Sequence, residues 1–130
     1  AGHRITLALD DDLPLVRLDP VLFEQVLFTL LDNAGKYAPP GSEVTVRGRR
    51  EDHIVRITVE DEGEGLPEAD RERIFDKFYR VTAADRKRAG TGLGLSIARG
   101  FMEAMGGRIA AANRIGRSGA VFDLIMPVAT

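Results

Sequence analysis

Gly90-Thr91-Gly92-Leu93-Gly94-Leu95-Ser96 runs into Ile97-Ala98-Arg99 and reads as a glycine-rich turn that opens a helix. Glycines at alternate positions let a backbone bend sharply and approach a ligand, because no Cβ stands in the way. The unpaired N–H groups and positive dipole end of the following helix make a seat for phosphate. The same pattern also occurs for packing alone, so its neighbours have to decide. Upstream, Asn33, Lys36 and Tyr37 are spaced to share one face of a helix. An amide oxygen can ligate a hard cation such as Mg²⁺, a lysine can neutralise phosphate and a tyrosine can cover a purine. A polar last helical turn, with Lys36 favourable to the dipole, is the plainer reading of the same residues. Asp61, followed by Gly63 and Gly65, offers a carboxylate at a strand end, an acceptor for an exocyclic amine such as N6 of adenine. An acidic turn is its alternative. Phe75, Phe78, Tyr79 and Arg80 combine aromatic anchors for a loop with an arginine within reach of phosphate or of solvent.

Other chemistries are closed or weakly signalled. There is no cysteine, which excludes disulfides, zinc–thiolate sites and thiol catalysis. Asp10-Asp11-Asp12 reads as a solvated turn at a strand end, and His3 and His53 as surface residues. Met102 and Met105 read as core. A net charge of −2 gives no electrostatic case for nucleic acid or an anionic membrane. No apolar run approaches a membrane span and no signal peptide is visible.

The elements that must position these residues can be placed from periodicity. At 130 residues, 44% hydrophobic and 29% charged, the chain suits one globular domain with its own core. It does not begin with Met, which suggests a fragment of a larger protein. Ile5–Leu9 reads as a strand and Leu15–Leu18 as a second extended piece. Asp19-Pro20 starts a helix, with Val21, Leu22, Val26, Leu27, Leu30 and Leu31 at helical spacing and Phe23 and Phe28 widening the buried face. That helix should fray around Gly35 to Tyr37, and Pro39-Pro40-Gly41 forbids its continuation. Glu43–Arg47 and His53–Glu60 alternate as a hairpin turning near Arg49 to Asp52. A short helix over Arg71–Tyr79 and a polar surface loop over Arg80–Ala89 precede the glycine turn. The helix after it buries Leu95, Ile97, Ala98, Phe101, Met102 and Met105 and ends at Gly106-Gly107. Arg108–Ala112 and Ala120–Met126 form the last two strands, joined by a turn containing Gly116 and Gly119. This order is not a regular βαβ alternation. It predicts an α/β (α+β) two-layer sandwich, a mixed and mostly antiparallel sheet with about three helices packed on one face.

Four segments, Asn33-Ala34-Gly35-Lys36-Tyr37, Asp61-Glu62-Gly63-Glu64-Gly65, Ile74-Phe75-Asp76-Lys77-Phe78-Tyr79-Arg80 and Gly90-Thr91-Gly92-Leu93-Gly94-Leu95, resemble in this order the N, G1, F and G2 boxes of a known family. That family is the ATP-binding catalytic domain of bacterial sensor histidine kinases, whose Bergerat fold is shared with gyrase B, Hsp90 and MutL. The resemblance covers essentially the whole chain, residues 1–130. Asp19–Leu27 and Arg99–Gly107 look most like the potassium-responsive Kdp-type sensors.

The resemblance implies ATP and Mg²⁺ as cofactors. Asn33 would ligate the metal, and Lys36 would contact phosphate beside Tyr37. Asp61 would receive the adenine amine, with Gly63, Gly65 and Leu66 shaping the pocket around it. Gly90, Thr91, Gly92, Leu93 and Gly94 would face the phosphates. Residues about 80–91 would form an ATP lid, with Phe78 and Tyr79 at its hinge and Arg80, its first residue, within reach of the nucleotide. The implied reaction gives the γ-phosphate to a histidine on a separate dimerisation domain of the parent kinase, upstream of a response regulator receiver domain. The fragment is expected to be monomeric and to be the cytoplasmic portion of a membrane-anchored sensor.

The chain departs from that family at three points. Thr29 stands where a second N-box asparagine is usual, Ala120 stands where a threonine is usual, and neither histidine has a phosphoacceptor context. A gyrase-like or chaperone ATPase would place a glutamate base at position 29, which threonine cannot replace. A degenerate nucleotide-binding module or an anti-sigma-type serine kinase of the same fold is the alternative that Thr29 leaves open.

Overall fold

The computed structural model describes residues 4–9, 18–66, 73–76 and 94–128. The elements are β1 (Arg4–Leu9), α1 (Pro20–Tyr37), β2 (Glu43–Glu51), β3 (Ile54–Glu60), a 3₁₀ turn (Arg73–Phe75), α2 (Gly94–Ala104), β4 (Arg108–Asn113) and β5 (Ala120–Pro127). The sheet order is β1-β2-β3-β5-β4. β1 runs parallel to β2 and every other neighbouring pair is antiparallel. This is the mixed, mostly antiparallel sheet expected, with two α-helices and one 3₁₀ turn among the described residues.

The start and stop of α1 follow from local chemistry. Asp19 caps it by accepting from the N–H of Val21 at 2.9 Å and of Leu22 at 3.3 Å, and Pro20 sits where a missing N–H costs nothing. The helix does not fray at Gly35. It continues to Tyr37, and the N–H of Ala38 still reaches the Ala34 carbonyl at 2.9 Å before Pro39-Pro40 ends it. Val26, Leu30 and Ala34 form its buried line, at 0%, 1% and 3% exposure. Phe28 does not join them and is 66% exposed. It lies two residues from both Val26 and Leu30, hence about 200° around the helix from each, so one sheet cannot cover all three. Val21 is exposed as well. In α2, Ala98 and Met102 make the buried line, and Ile97, about 100° around from Ala98, is 48% exposed rather than buried.

β2 extends four residues further than its alternation suggests, to Glu51, and turns at Asp52-His53 with Asp52 at φ 55°. Aspartate tolerates that left-handed conformation better than most side chains. His53 is therefore in the turn and not at the strand start. One sheet face carries Val44, Val46, Val59, Phe122, Leu124 and Met126 into the core with Leu30 and Met102. Phe75 from the 3₁₀ turn joins it, edge to face with Phe122 at 6.4 Å between ring centres. The other face is polar. Arg56 bridges Glu51 at 3.0 Å and Asp123 at 3.2 Å, and Thr58 donates to Asp123 at 2.8 Å. The Arg56 hydrogen bond, more than any other contact, holds the Glu51 carboxyl below its usual range.

The position of β5 decides where a site can form. It inserts between β3 and β4, so the end of β3, the end of β4 and the start of β5 meet at one edge, with Glu60 opposite Val121 and Asn113 opposite Ala120.

Candidate functional site

Asp61 follows β3 at that edge and is 5% exposed. Its own N–H donates to the Ala120 carbonyl at 3.0 Å, which continues the ladder by one residue. Its carboxylate turns inward, as the period of two along β3 requires. Oδ1 accepts from the Gly63 N–H at 2.8 Å and from the Ala120 N–H at 3.1 Å. Both donors use Oδ1, so Oδ2 is the oxygen they leave for a ligand. A buried carboxylate fixed by two backbone donors is a directed acceptor, suited to an amine N–H of a flat base.

The loop after Asp61 is held by the β4–β5 hairpin. Asn113 accepts from the Leu66 N–H at 2.6 Å and donates to the Leu66 carbonyl at 2.7 Å. Arg114 donates through Nη1 to the carbonyls of Asp61 and Ser118, each at 3.3 Å. Two glycines make these approaches possible. A Cβ on Gly65, at φ +87°, would stand 2.6 Å from Asn113 Oδ1, and a Cβ on Gly119, at φ +133°, would run into the Asp61 carbonyl oxygen. Neither Asn113 nor Arg114 is a candidate from sequence. The turn glycines Gly116 and Gly119 are the one visible signal, and they mark a bend without saying what it supports.

The helix end of the site is assembled differently. Asn33 lies one turn beyond Thr29 on α1 and is half-exposed. Thr29 packs on the first residue of α2, since a Cβ on Gly94 would lie 3.3 Å from Thr29 Cγ2. The last turns of α1 and the N-terminus of α2 are thereby neighbours. Among the described residues no group of three or more His, Cys, Asp or Glu can hold a metal ion. Asn33 fits Mg²⁺ in the way such an ion is usually bound, through one or two protein oxygens with phosphates and waters completing the shell. Its amide takes no hydrogen bond among the described residues, so its oxygen is open to such a role.

The structure thus places Asp61, Gly63, Gly65 and Leu66 together at the sheet edge, and brings the helix bearing Asn33 against Gly94. Lys36 and Tyr37 belong to the last turn of α1, and their side chains lie outside the described residues. Phe78, Tyr79, Arg80, Gly90, Thr91, Gly92 and Leu93, with the expected lid over 80–91, lie outside them too. Phe75 is packed as a core anchor. It is 4% exposed in the core, with Arg99 over its ring at 5.8 Å. Ala120 sits where the sequence suggested a missing hydroxyl. It contributes through its backbone, which holds Asp61 from both its N–H and its carbonyl. No helix among the described residues is long and apolar enough to cross a membrane.

Comparison with known proteins adds the family context. Residues 18–130 match the family described as histidine kinase-, DNA gyrase B-, and HSP90-like ATPase. The chain is 37% identical to the sensor protein KdpD of Clostridium acetobutylicum over 97% of its own length, and 39% identical to the alginate biosynthesis sensor protein KinB of Pseudomonas aeruginosa over 98%. It spans only 14% and 21% of those two proteins. Among solved structures, full-length ShkA in complex with AMPPNP superposes with a TM-score of 0.82 at 32% identity, covering 99% of this chain and 26% of that one. Histidine kinase ThkA in complex with the response regulator TrrA superposes with a TM-score of 0.79 at 27% identity, covering 98% and 34%.

Proposed function

Because the chain belongs to the histidine kinase-, DNA gyrase B-, and HSP90-like ATPase family, we propose that it is the ATP-binding catalytic domain of a two-component sensor histidine kinase. The observation that carries this reading is Asp61, a buried carboxylate at a strand end with one oxygen saturated by backbone donors. Its other oxygen takes the exocyclic amine of adenine. Gly63, Gly65 and Leu66 form the wall beside the base. At the other end Asn33 would hold Mg²⁺, which would neutralise charge on the ATP phosphates, and Lys36 would add a cation for them. On this proposal Gly90 to Gly94 would offer backbone N–H groups to the phosphates, and Tyr37, Phe78 and Arg80 would contact the nucleotide.

In the reaction the bond between the γ-phosphorus and the β–γ bridging oxygen breaks, and ADP leaves. A nitrogen of the acceptor imidazole forms the new bond to phosphorus. Such a transfer asks a protein mainly to position groups and balance charge, and the residues assigned here do that. The acceptor histidine belongs to a dimerisation domain of the parent kinase, and an aspartate of a receiver domain takes the phosphoryl group next. AMPPNP in the ShkA structure and TrrA bound to ThkA support the nucleotide and the kind of partner. The parent is a membrane-anchored sensor with this domain on its cytoplasmic side.

The test mixes the chain with the parent's dimerisation domain and ATP labelled at the γ-phosphate. Acid-labile label on that domain is expected. Label that survives acid, as a serine ester would, or no transfer at all, contradicts the reading.

A further inference from the structure

We infer that Asn113 is a positioning residue for base recognition, clamping the far end of the Asp61–Leu66 loop so that the adenine wall exists before nucleotide arrives. The inference rests on the reading that this loop receives adenine. Its side-chain amide accepts from the Leu66 N–H at 2.6 Å and donates to the Leu66 carbonyl at 2.7 Å. An amide presents donor and acceptor side by side, as a peptide group does, so the side chain of Asn113, the last residue of β4, serves Leu66 as a further strand partner would. Aspartate lacks the donor, and serine is too short to meet both groups.

The near end of the loop is held independently. Asp61 is fixed through its N–H and Oδ1 to Ala120, and Arg114 reaches its carbonyl. Asn113 and Arg114 are adjacent in sequence, so one hairpin corner fixes both ends of a six-residue loop. Gly65 takes a more specific meaning from this. It is at φ +87°, and a Cβ there would stand 2.6 Å from Asn113 Oδ1, so the glycine makes room for the clamp as well as for a ligand.

A loop held at both ends need not be ordered by its ligand, and that ordering would otherwise be subtracted from affinity. The effect is confined to the base. Adenine offers Asp61 an amine donor where guanine offers a carbonyl acceptor, so discrimination between them depends on where the loop holds that carboxylate. On that reading the phosphates would face the α1–α2 end, whereas the hydrogen bonds of Asn113 go to Leu66.

The experiment compares wild type with Asn113→Asp and Asn113→Ala, titrating each with ATP, GTP and inorganic tripolyphosphate while following amide hydrogen exchange at Leu66. Asn113→Asp keeps size and shape but replaces the donor with an acceptor and adds a negative charge, so Asn113→Ala serves as the neutral control. Expected are ATP binding weakened about 5- to 10-fold, a comparable fall in the ATP-to-GTP preference, tripolyphosphate binding within about twofold, and faster exchange at Leu66. A purely structural role would lower stability without moving the ATP-to-GTP ratio. Unchanged preference in a folded variant, or an unprotected Leu66 amide in the unliganded wild type, overturns the clamp. Wild type that does not bind ATP removes the function proposed above and the clamp with it. Normal wild-type binding with an indifferent variant removes the clamp alone.

Discussion

At the sheet edge, Asp61 is 5% exposed, accepts two backbone N–H groups and sits in a loop tied down by Asn113 and Arg114. At the helix end, Asn33 is half-exposed on the last turns of α1, and the nearby start of α2 is held to that helix by a packing contact between Thr29 and Gly94. One end is made from backbone hydrogen bonds that only this topology can align. The other is made from side chains and a helix terminus, which any two packed helices can present. The sheet end therefore suits fixed recognition of a flat base. The helix end suits a charged ligand that brings its own metal and waters, where one residue can be exchanged without disturbing the fold. Thr29 in place of a usual asparagine lies at the helix end, whereas the Ala120 departure at the sheet end is absorbed because its backbone does the holding.

That contrast can be broken most severely at Gly119. Alanine there needs a backbone conformation that side chains disfavour and collides with the Asp61 carbonyl. Gly119→Ala should cost roughly 2–4 kcal/mol of stability and abolish ATP binding, as read by thermal unfolding and titration. Retained stability and affinity would mean that the hairpin does not hold the loop. A smaller change sharpens the other end. Thr29→Asn adds an amide oxygen one turn before Asn33, in the room that Gly94 leaves, and should tighten ATP binding about fivefold in Mg²⁺. Affinity in chelator should not move. Equal gains with and without Mg²⁺ would sink the assignment of that position to the metal. The smallest effect is expected at Glu51, at the far end of the β2–β3 hairpin from Asp61. Glu51→Gln should leave nucleotide affinity unchanged and lower stability at neutral pH by about 0.5 kcal/mol or less, because the pair with Arg56 is open to solvent. Since Arg56 depresses the folded-state value of Glu51 below 4.5, the stabilisation is full above pH 4.5 and disappears as pH falls through the depressed value. Wild type and variant should therefore converge in acid, and a difference that persists there would contradict the ion-pair account.

Much of this was legible from residue order because the signals are local. Asp19-Pro20 and Pro39-Pro40 bound α1 through chemistry within a few residues, and alternation marked the strands. Asp61 could be picked out because it follows a strand and precedes two glycines. Periodicity assigns Phe28 and Ile97 to the core, yet both are exposed, because it reports that a residue is apolar and not which side of the helix the sheet lies on. Asn113 was invisible because its partner, Leu66, lies 47 positions away. Only the insertion of β5 between β3 and β4 brings them together, and no local pattern encodes that insertion. The site's side chains were therefore easier to find than the backbone that supports them.

The central claim is that Asp61 reads the adenine amine through the oxygen its backbone donors leave open. Asparagine at this position can keep its carbonyl oxygen on the N–H groups of Gly63 and Ala120, which turns its NH₂ toward the ligand. Calorimetric titration of ATP into wild type and Asp61→Asn, with folding checked in both, tests this directly. A loss of about tenfold or more in the variant, with and without Mg²⁺, is predicted from two donors facing each other in a buried site. Equal ATP affinity in the two proteins would contradict it.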